Sequence, residues 1–127
     1  MDTWRLRCLL SLLFLASHSQ ASQAGQVCVL VDSLPLAGFQ FYTGRQFWDE
    51  MQPGDQLSLH REPDNPHDRY AVRVDWQGHP LGHLPRPHNR PAAQALDAGY
   101  GLQARIGQLQ AHRNPWKRLR IDLCALP

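Results

Sequence analysis

The chain has 127 residues, with 13 lysines and arginines against 11 aspartates and glutamates, for a net charge of +2. A charge this close to zero argues against the strongly basic class of proteins that neutralise many nucleic-acid phosphates at once. The roughly 100 residues that follow the predicted leader are enough for one small domain with one core, and too few for two.

The first 24 residues have the layout of a signal peptide: two arginines, an apolar run at 8–16, and then small and polar residues. The apolar run is shorter than the roughly 20 residues that a membrane-spanning helix needs. We therefore predict that residues 1–24 are cleaved and that residues 25–127 form one exported domain, periplasmic or secreted, with no membrane segment. The alternatives are an uncleaved anchor and a start-site artefact, and the second would leave the protein in the cytoplasm.

Two cysteines remain once this leader is removed, one near each end of the mature chain. Cys28 lies in the first strand-like run, 26–31, and Cys124 lies in the last, 119–124. An even pair of cysteines in an oxidising compartment often forms a disulfide. We predict a bond that ties the two ends of the domain together; the alternative is two separate buried thiols.

The predicted elements are short strands between proline and glycine turns, with one or two short helices. The stretch 33–44 is predicted to be mostly loop, 45–51 a short helix, and a second helix follows Asn89 as its N-cap and closes at Gly99. Strands are predicted at 26–31, 57–60, 71–74, 81–85, 101–109 and 116–124, with a hairpin turn at 75–80. This pattern is typical of a small, partly open β-barrel of the OB or SH3-like kind.

A polar loop between the second and third predicted strands, REPDNPHDR at 61–69, carries most of the chemistry. Its two prolines restrict their own φ angles and the conformation of the residues before them, which stiffens the loop. Asparagine and aspartate at these places can simply hydrogen-bond the backbone amides of a turn. The residues alone therefore leave a structural role and a binding role open.

The same loop resembles the HIRAN domain when it is taken with AVRV at 71–74, LGHLPR at 81–86 and the upstream aromatic segment GFQFYTG at 38–44. That domain occurs at the N-terminus of helicase-like transcription factor and Rad5-type proteins, and as small free-standing bacterial proteins. The resemblance extends over about residues 27–108. It implies a small OB-like barrel that captures the 3′-hydroxyl end of a single DNA strand.

The resemblance also implies roles for individual residues. The aromatic pair would stack on bases, an asparagine and an aspartate would bind the terminal nucleotide and its 3′-hydroxyl, and two arginines could contact phosphates. These residues are Phe41, Tyr42, Asn65, His67, Asp68, Arg61 and Arg69. His67 stands where the family often has tyrosine, and Gln40 where the helicase-like member has a cation. Both differences, with the low net charge, favour an alternative function: an exported structural or interaction protein that keeps the barrel without binding nucleic acid.

No catalytic constellation and no phosphate-cradling loop is evident in the sequence, so we predict a protein that is not an enzyme and that needs no cofactor. The nearest approach to a metal site is His79, His83 and His88. These histidines form no convincing helical pair and are accompanied by no Cys-x-x-Cys motif, so we predict no metal.

Overall fold

The computed structural model describes residues 27–126, which form a six-stranded antiparallel sheet that does not close on itself. The strand order is β1-β6-β5-β2-β3-β4, so β1 and β4 are the outermost strands. The strands are β1 Val29–Pro35, β2 Gln56–Arg61, β3 Val72–Trp76, β4 His79–His83, β5 Leu102–Leu109 and β6 Leu119–Ala125. This architecture confirms the predicted mainly β, partly open barrel.

One α-helix and four short 3₁₀ helices complete the described part of the chain. The α-helix α1 covers Arg90–Asp97, close to the predicted second helix, and Gly99 follows it with a φ of 77°. The 3₁₀ helices cover Phe39–Phe41, Thr43–Glu50, Arg86–His88 and Pro115–Lys117. No helix among residues 27–126 is long and apolar enough to cross a membrane.

The start of β6 shows how one face of a strand contributes to the core. In β6 the side chains of Leu119, Ile121 and Leu123 are buried, whereas the residues between them are partly exposed, as expected of a strand with one face on a core. The buried apolar core consists of Leu34, Leu36, Phe39, Met51, Leu57, Val72, Val74, Trp76, Leu81, Leu84, Ala92, Ala93, Ala104, Ile106, Leu119, Ile121 and Leu123.

Several strand boundaries differ from the prediction. Strand β3 extends to Trp76 and β4 begins at His79, so both strands enter the predicted turn at 75–80. Strand β1 continues to Pro35, which pairs with Arg120, so the prediction of loop from residue 33 was wrong at its start. Proline is tolerated there because β1 is an outermost strand. Trp116 was predicted within the last strand but lies exposed in the 3₁₀ turn before β6, because Asn114 accepts a hydrogen bond from its backbone amide.

The ends of the described chain meet at β1 and β6. The structure joins the sulfur atoms of Cys28 and Cys124, whose Cα atoms are 5.0 Å apart although the residues are separated by 96 positions in sequence. Whether this bond forms in the protein's own compartment stays a prediction. The predicted signal peptide, residues 1–24, lies outside the described residues.

A close backbone crossing brings the aromatic segment against β4. Ala37 and His83 exchange two backbone hydrogen bonds of 2.9 Å. Gly82, immediately before His83, has a φ of 152°, and a Cβ at this position would overlap the carbonyl oxygen of Ala37. Only glycine fits this crossing, which explains the glycine of the LGHLPR motif and fixes the place of His83.

Candidate functional site

The aromatic segment presents three rings in three different environments. Phe39 is 2% exposed and belongs to the core, whereas Phe41 is 81% exposed. Tyr42 is half-buried, between these extremes. The 3₁₀ turn Phe39–Phe41 produces this division, since it directs alternate rings inward and outward. Phe41 is therefore free to stack on a ligand, which an aromatic side chain can do with any base.

Tyr42, His83 and Glu62 form a hydrogen-bonded chain. The Tyr42 hydroxyl lies 2.9 Å from Nδ1 of His83, and Nε2 of His83 lies 2.5 Å from Oε1 of Glu62. Because an ionised carboxylate only accepts, we assign the proton to Nε2, which leaves Nδ1 of the neutral ring to accept from the tyrosine hydroxyl. The chain ties the aromatic segment to the start of the polar loop.

The electrostatics of this chain follow from its partial burial. Burial raises the pKa of the Tyr42 hydroxyl, the charge of Glu62 raises it further, and Arg73 offsets only part of the rise. Burial also acts to raise the pKa of Glu62, but His83, Asn65 and Arg73 stabilise the carboxylate more strongly. The pKa of Glu62 therefore lies below its usual value.

Asn65 organises the polar loop. Its Oδ1 accepts hydrogen bonds from the backbone amides of His67 at 2.9 Å and Asp68 at 3.2 Å, and its Nδ2 donates to Glu62 at 3.4 Å. These bonds are the turn geometry that asparagine favours. The structural role left open by the sequence is thus present, and it connects Asn65 to the chain from Tyr42.

Asp68 is fixed by two neutral donors. Its Oδ1 accepts from the backbone amide of Tyr70 at 2.9 Å, and its Oδ2 accepts from Nδ2 of Asn89 at 2.6 Å. Asn89 was predicted to cap α1, but its side chain makes no capping bond and is used for Asp68 instead. Each carboxylate oxygen accepts more than one hydrogen bond, so Asp68 keeps capacity for a ligand hydroxyl.

Arg61 lies away from the groove described below. Its guanidinium donates to both carboxylate oxygens of Asp97, at 2.9 and 3.2 Å, and to the carbonyl oxygens of Ala71 at 2.8 Å and Arg69 at 3.0 Å. With only 14% of its side chain exposed, it clamps the polar loop to the end of α1. Its ion pair is with Asp97, so its guanidinium is already used within the protein.

A groove of about 520 Å³ lies between the polar loop and the segment that leads into α1. Four of its lining side chains are charged: three arginines and one aspartate. The lining residues are Asn65, Pro66, His67, Asp68, Arg69, Tyr70, Arg86, Pro87, Asn89 and Arg90. The predicted site residues Asn65, His67, Asp68 and Arg69 thus line one groove.

The segment that leads into α1 forms the second wall of the groove, and its residues were not among the predicted site residues. Arg86 stands at the end of the LGHLPR motif, so that motif held a signal for it. Asn89 was interpreted as a helix cap, and no pattern in the sequence distinguished Arg90. Only the folded contact between the polar loop and the start of α1 shows that these residues face Asp68.

The three histidines considered as metal ligands lie in different surroundings. His79 stacks on Phe47, with ring centroids 3.9 Å apart, and His83 belongs to the chain described above. His88 lines a separate, mainly apolar pocket of about 340 Å³. Among residues 27–126 the structure brings together no group of three histidine, cysteine, aspartate or glutamate side chains that could hold a metal ion.

Comparisons with known proteins agree with this fold. The sequence profile of the HIRAN domain matches residues 33–123. A crystal structure of a Lactobacillus plantarum protein superimposes with a TM-score of 0.66 at 25% identity, covering 78% of this chain and 95% of that one. The HIRAN domain of human HLTF superimposes with a TM-score of 0.56 at 21% identity, covering 77% and 79% of the two chains. A search of curated proteins finds no match.

The open barrel with its polar loop and arginine-lined groove is the architecture of a small binding module. The match over residues 33–123 identifies it further: the chain belongs to the HIRAN domain family.

Proposed function

We propose that this domain captures the 3′-hydroxyl end of a single DNA strand in the groove between the polar loop and the start of α1. The observation that carries the proposal is Asp68, a carboxylate held by Asn89 and by the backbone amide of Tyr70 in a groove that otherwise carries positive charge. A 3′-hydroxyl donates to such a carboxylate. The surrounding arginines suit the phosphates of the strand.

Selectivity for a hydroxyl end follows from the same geometry. Both hydrogen bonds to Asp68 come from neutral donors, and no guanidinium pairs with it among the described residues. A 3′-terminal phosphate would therefore place its negative charge beside that of Asp68, which is unfavourable at short distance. A 3′-hydroxyl carries no such charge and donates the hydrogen bond that the carboxylate accepts.

The remaining predicted residues have supporting roles. Phe41 is exposed and offers a stacking face for a base, and His67, also exposed, offers a smaller one. Tyr42 and Asn65 act through the hydrogen-bonded chain that holds the aromatic segment and the loop in place. Arg61 is assigned to the structural clamp with Asp97 and not to a phosphate.

The test is fluorescence anisotropy with the purified protein and a short oligothymidylate that ends either in a 3′-hydroxyl or in a 3′-phosphate. We expect the hydroxyl-ended strand to bind more tightly. The variant Asp68→Asn should lose most of this preference, because the amide no longer repels the phosphate. Equal binding of both strands by the unaltered protein would overturn end capture. Loss of the preference in the control variant Asp64→Asn would show that the preference does not depend specifically on Asp68.

A second candidate function is that of an exported interaction protein, and one observation favours it. Strand β1 is an outermost strand, and its Val29, Leu30 and Val31 are between 50% and 56% exposed. An exposed apolar edge strand is able to pair with a strand of another chain. Failure to bind either oligonucleotide, together with loss of self-association or partner binding on Leu30→Lys substitution, would favour this function over end capture.

We also propose that the domain acts after export, in a periplasmic or extracellular compartment. The pairing of Cys28 with Cys124 supports this, since such bonds persist in oxidising compartments. Mass spectrometry of the protein isolated from its own cells tests it. We expect a mature chain that begins near residue 25, and an intact leader in the cytoplasmic fraction would contradict export.

A further inference from the structure

The cations that lack protein partners are concentrated on the groove. Among the ten arginines and one lysine of residues 27–126, five arginines donate a hydrogen bond to a carboxylate, hydroxyl or carbonyl oxygen of the protein, and a sixth, Arg105, forms an ion pair with Asp122 at 3.9 Å. The five cations without a hydrogen bond or ion pair to a protein oxygen in this part of the chain are Arg69, Arg86, Arg90, Arg113 and Lys117. Three of these five line the groove.

The net charge of the groove differs from that of the rest of the described chain. Residues 27–126 contain 11 cations and 10 carboxylates, which gives a net charge of +1. The groove lining contains three of those cations and one carboxylate, Asp68, which gives +2. The rest of the described chain is therefore slightly negative. The low total charge hides a local positive site of the kind that attracts an anion.

Two of these arginines share one aromatic ring. The guanidinium carbon of Arg69 lies 4.9 Å from the centroid of the Tyr70 ring, and that of Arg90 lies 5.2 Å from it. Both distances fall within the range of cation–π interaction. Contact with a ring face positions a guanidinium without using its N–H donors, so the donors of both arginines stay available to a ligand.

Tyr70 also connects these arginines to Asp68. Its backbone amide donates to Oδ1 of Asp68, while its ring lies beside Arg69 and Arg90. One residue thus contacts both a carboxylate that can accept a hydrogen bond from a hydroxyl and two cations that suit an anion. A DNA strand that ends at Asp68 carries its last phosphate on the same nucleotide as its terminal hydroxyl.

From this arrangement we infer that Tyr70, Arg69 and Arg90 form a phosphodiester-binding arm of the groove, in which the tyrosine ring holds two guanidinium groups ready for the backbone of the bound strand. The inference rests on the proposed function, because the strand that reaches the arm is the one whose end lies at Asp68. Arginine suits this ligand, since its planar fork matches two oxygens of one phosphate.

The salt dependence of strand binding tests the arm directly. For a single strand, the slope of log K against log salt concentration changes by about 0.7 for each phosphate contact. We expect Arg69→Ala and Arg90→Ala each to weaken binding and to reduce the slope by about that amount. The matched control is Arg113→Ala, which removes another exposed arginine without a protein partner, outside the groove lining. Its slope should equal that of the unaltered protein.

Tyr70 is tested by two substitutions. Tyr70→Phe keeps the ring and the backbone amide and should leave the slope unchanged, whereas Tyr70→Leu removes the ring and should weaken binding towards the level of the double variant Arg69→Ala/Arg90→Ala. Circular dichroism establishes that each variant is folded before it is compared. Tyr70→Leu binding as tightly as Tyr70→Phe would overturn the role of the ring.

The outcomes separate the arm from end capture. If the unaltered protein prefers the 3′-hydroxyl strand but the variants of Arg69 and Arg90 behave like Arg113→Ala, the arm is overturned and end capture stands. If the slopes change as expected but Asp68→Asn leaves the end preference intact, the arm stands and end capture at Asp68 fails. If no strand binds, titration with inorganic pyrophosphate decides: shifts of the Nε–H signals of Arg69 and Arg90 support a phosphate-binding arm, and their absence overturns it.

Discussion

The Nδ2 atom of Asn89 lies 2.6 Å from Oδ2 of Asp68, so the carboxylate of the groove is held by a buried amide at the start of α1. Asn89 is 2% exposed, and its backbone carbonyl accepts the first helical hydrogen bond from Ala93 at 2.9 Å. The contact therefore does two things at once. It positions the ligand-facing aspartate, and it closes the polar loop onto the helix.

Replacement of Asn89 should affect both stability and end preference. Asn89→Ala removes the donor to Asp68, and the loss of such a bond costs about 1 to 3 kcal/mol when the remaining partner is partly buried. Urea denaturation measures this cost. Asn89→Asp tests the charge: it places two carboxylates side by side, which raises their pKa values. This variant should gain stability, relative to the unaltered protein, as the pH falls towards 4. If its stability does not recover at low pH, the contact between residues 68 and 89 is lost in the variant.

Substitution of Phe41 should weaken strand binding with little effect on stability, whereas substitution of Phe39 should lower stability. Phe41→Ala removes an exposed ring, so the free energy of unfolding should change by less than about 0.5 kcal/mol. Strand binding should weaken by about 1 to 3 kcal/mol if one base stacks on this ring. Phe39→Ala removes a core ring and should destabilise by about 3 to 5 kcal/mol. Full strand affinity in a folded Phe41→Ala variant would exclude stacking at this position.

Glu62 should make stability depend on pH in a defined direction. Although burial acts to raise its pKa, His83, Asn65 and Arg73 hold the pKa below the usual value. A lowered carboxylate pKa contributes stability that is present above the unfolded-state pKa, near 4.3, and that is lost as the pH falls through the folded-state value. Glu62→Gln should therefore be less stable than the unaltered protein at pH 7, by about 1 kcal/mol. The difference should shrink below about pH 4.

The matched control for Glu62 is Glu50→Gln, an exposed carboxylate at the end of the 3₁₀ helix Thr43–Glu50. Urea denaturation of both variants across the acidic range measures the two differences. The control should follow the unaltered protein at every pH. A constant difference for Glu62→Gln down to the lowest pH would mean that its contacts do not depend on the carboxylate charge.

The sequence predicted the strands well because their patterns are local. Alternation in β6 and the Gln77-Gly78 turn before β4 are set by neighbouring residues, and both turn residues take positive φ, at 46° and 79°. The boundary error at β1 has a different cause. Pro35 pairs with Arg120, 85 positions further along the chain, and nothing near Pro35 reveals that partner.

Only one wall of the groove could be predicted from the sequence, because the contacts that form the other wall join residues distant in the chain. The polar loop is contiguous, so its residues were found from the resemblance and from turn chemistry. Asn89 was assigned to a helix cap because asparagine before a helix usually caps it. Its actual contact, with Asp68 21 positions earlier, depends on how α1 packs against the loop. Arg61 was predicted as a site residue but does not line the groove. Its guanidinium binds Asp97, which lies 36 positions away in sequence.

Reduction of the predicted disulfide should destabilise the domain. Cys28 and Cys124 enclose almost the whole described chain, and in the chain-entropy account a bond that closes a loop of about 100 residues contributes about 4 to 5 kcal/mol. Urea denaturation with and without dithiothreitol measures the contribution. The double variant Cys28→Ala/Cys124→Ala should match the reduced protein, and dithiothreitol should not change its stability. Titration of the denatured, unreduced protein with a thiol reagent should find no free thiol from these two residues. Two free thiols, or a midpoint that dithiothreitol does not move, would show that the ends of the sheet are held by β1–β6 pairing alone.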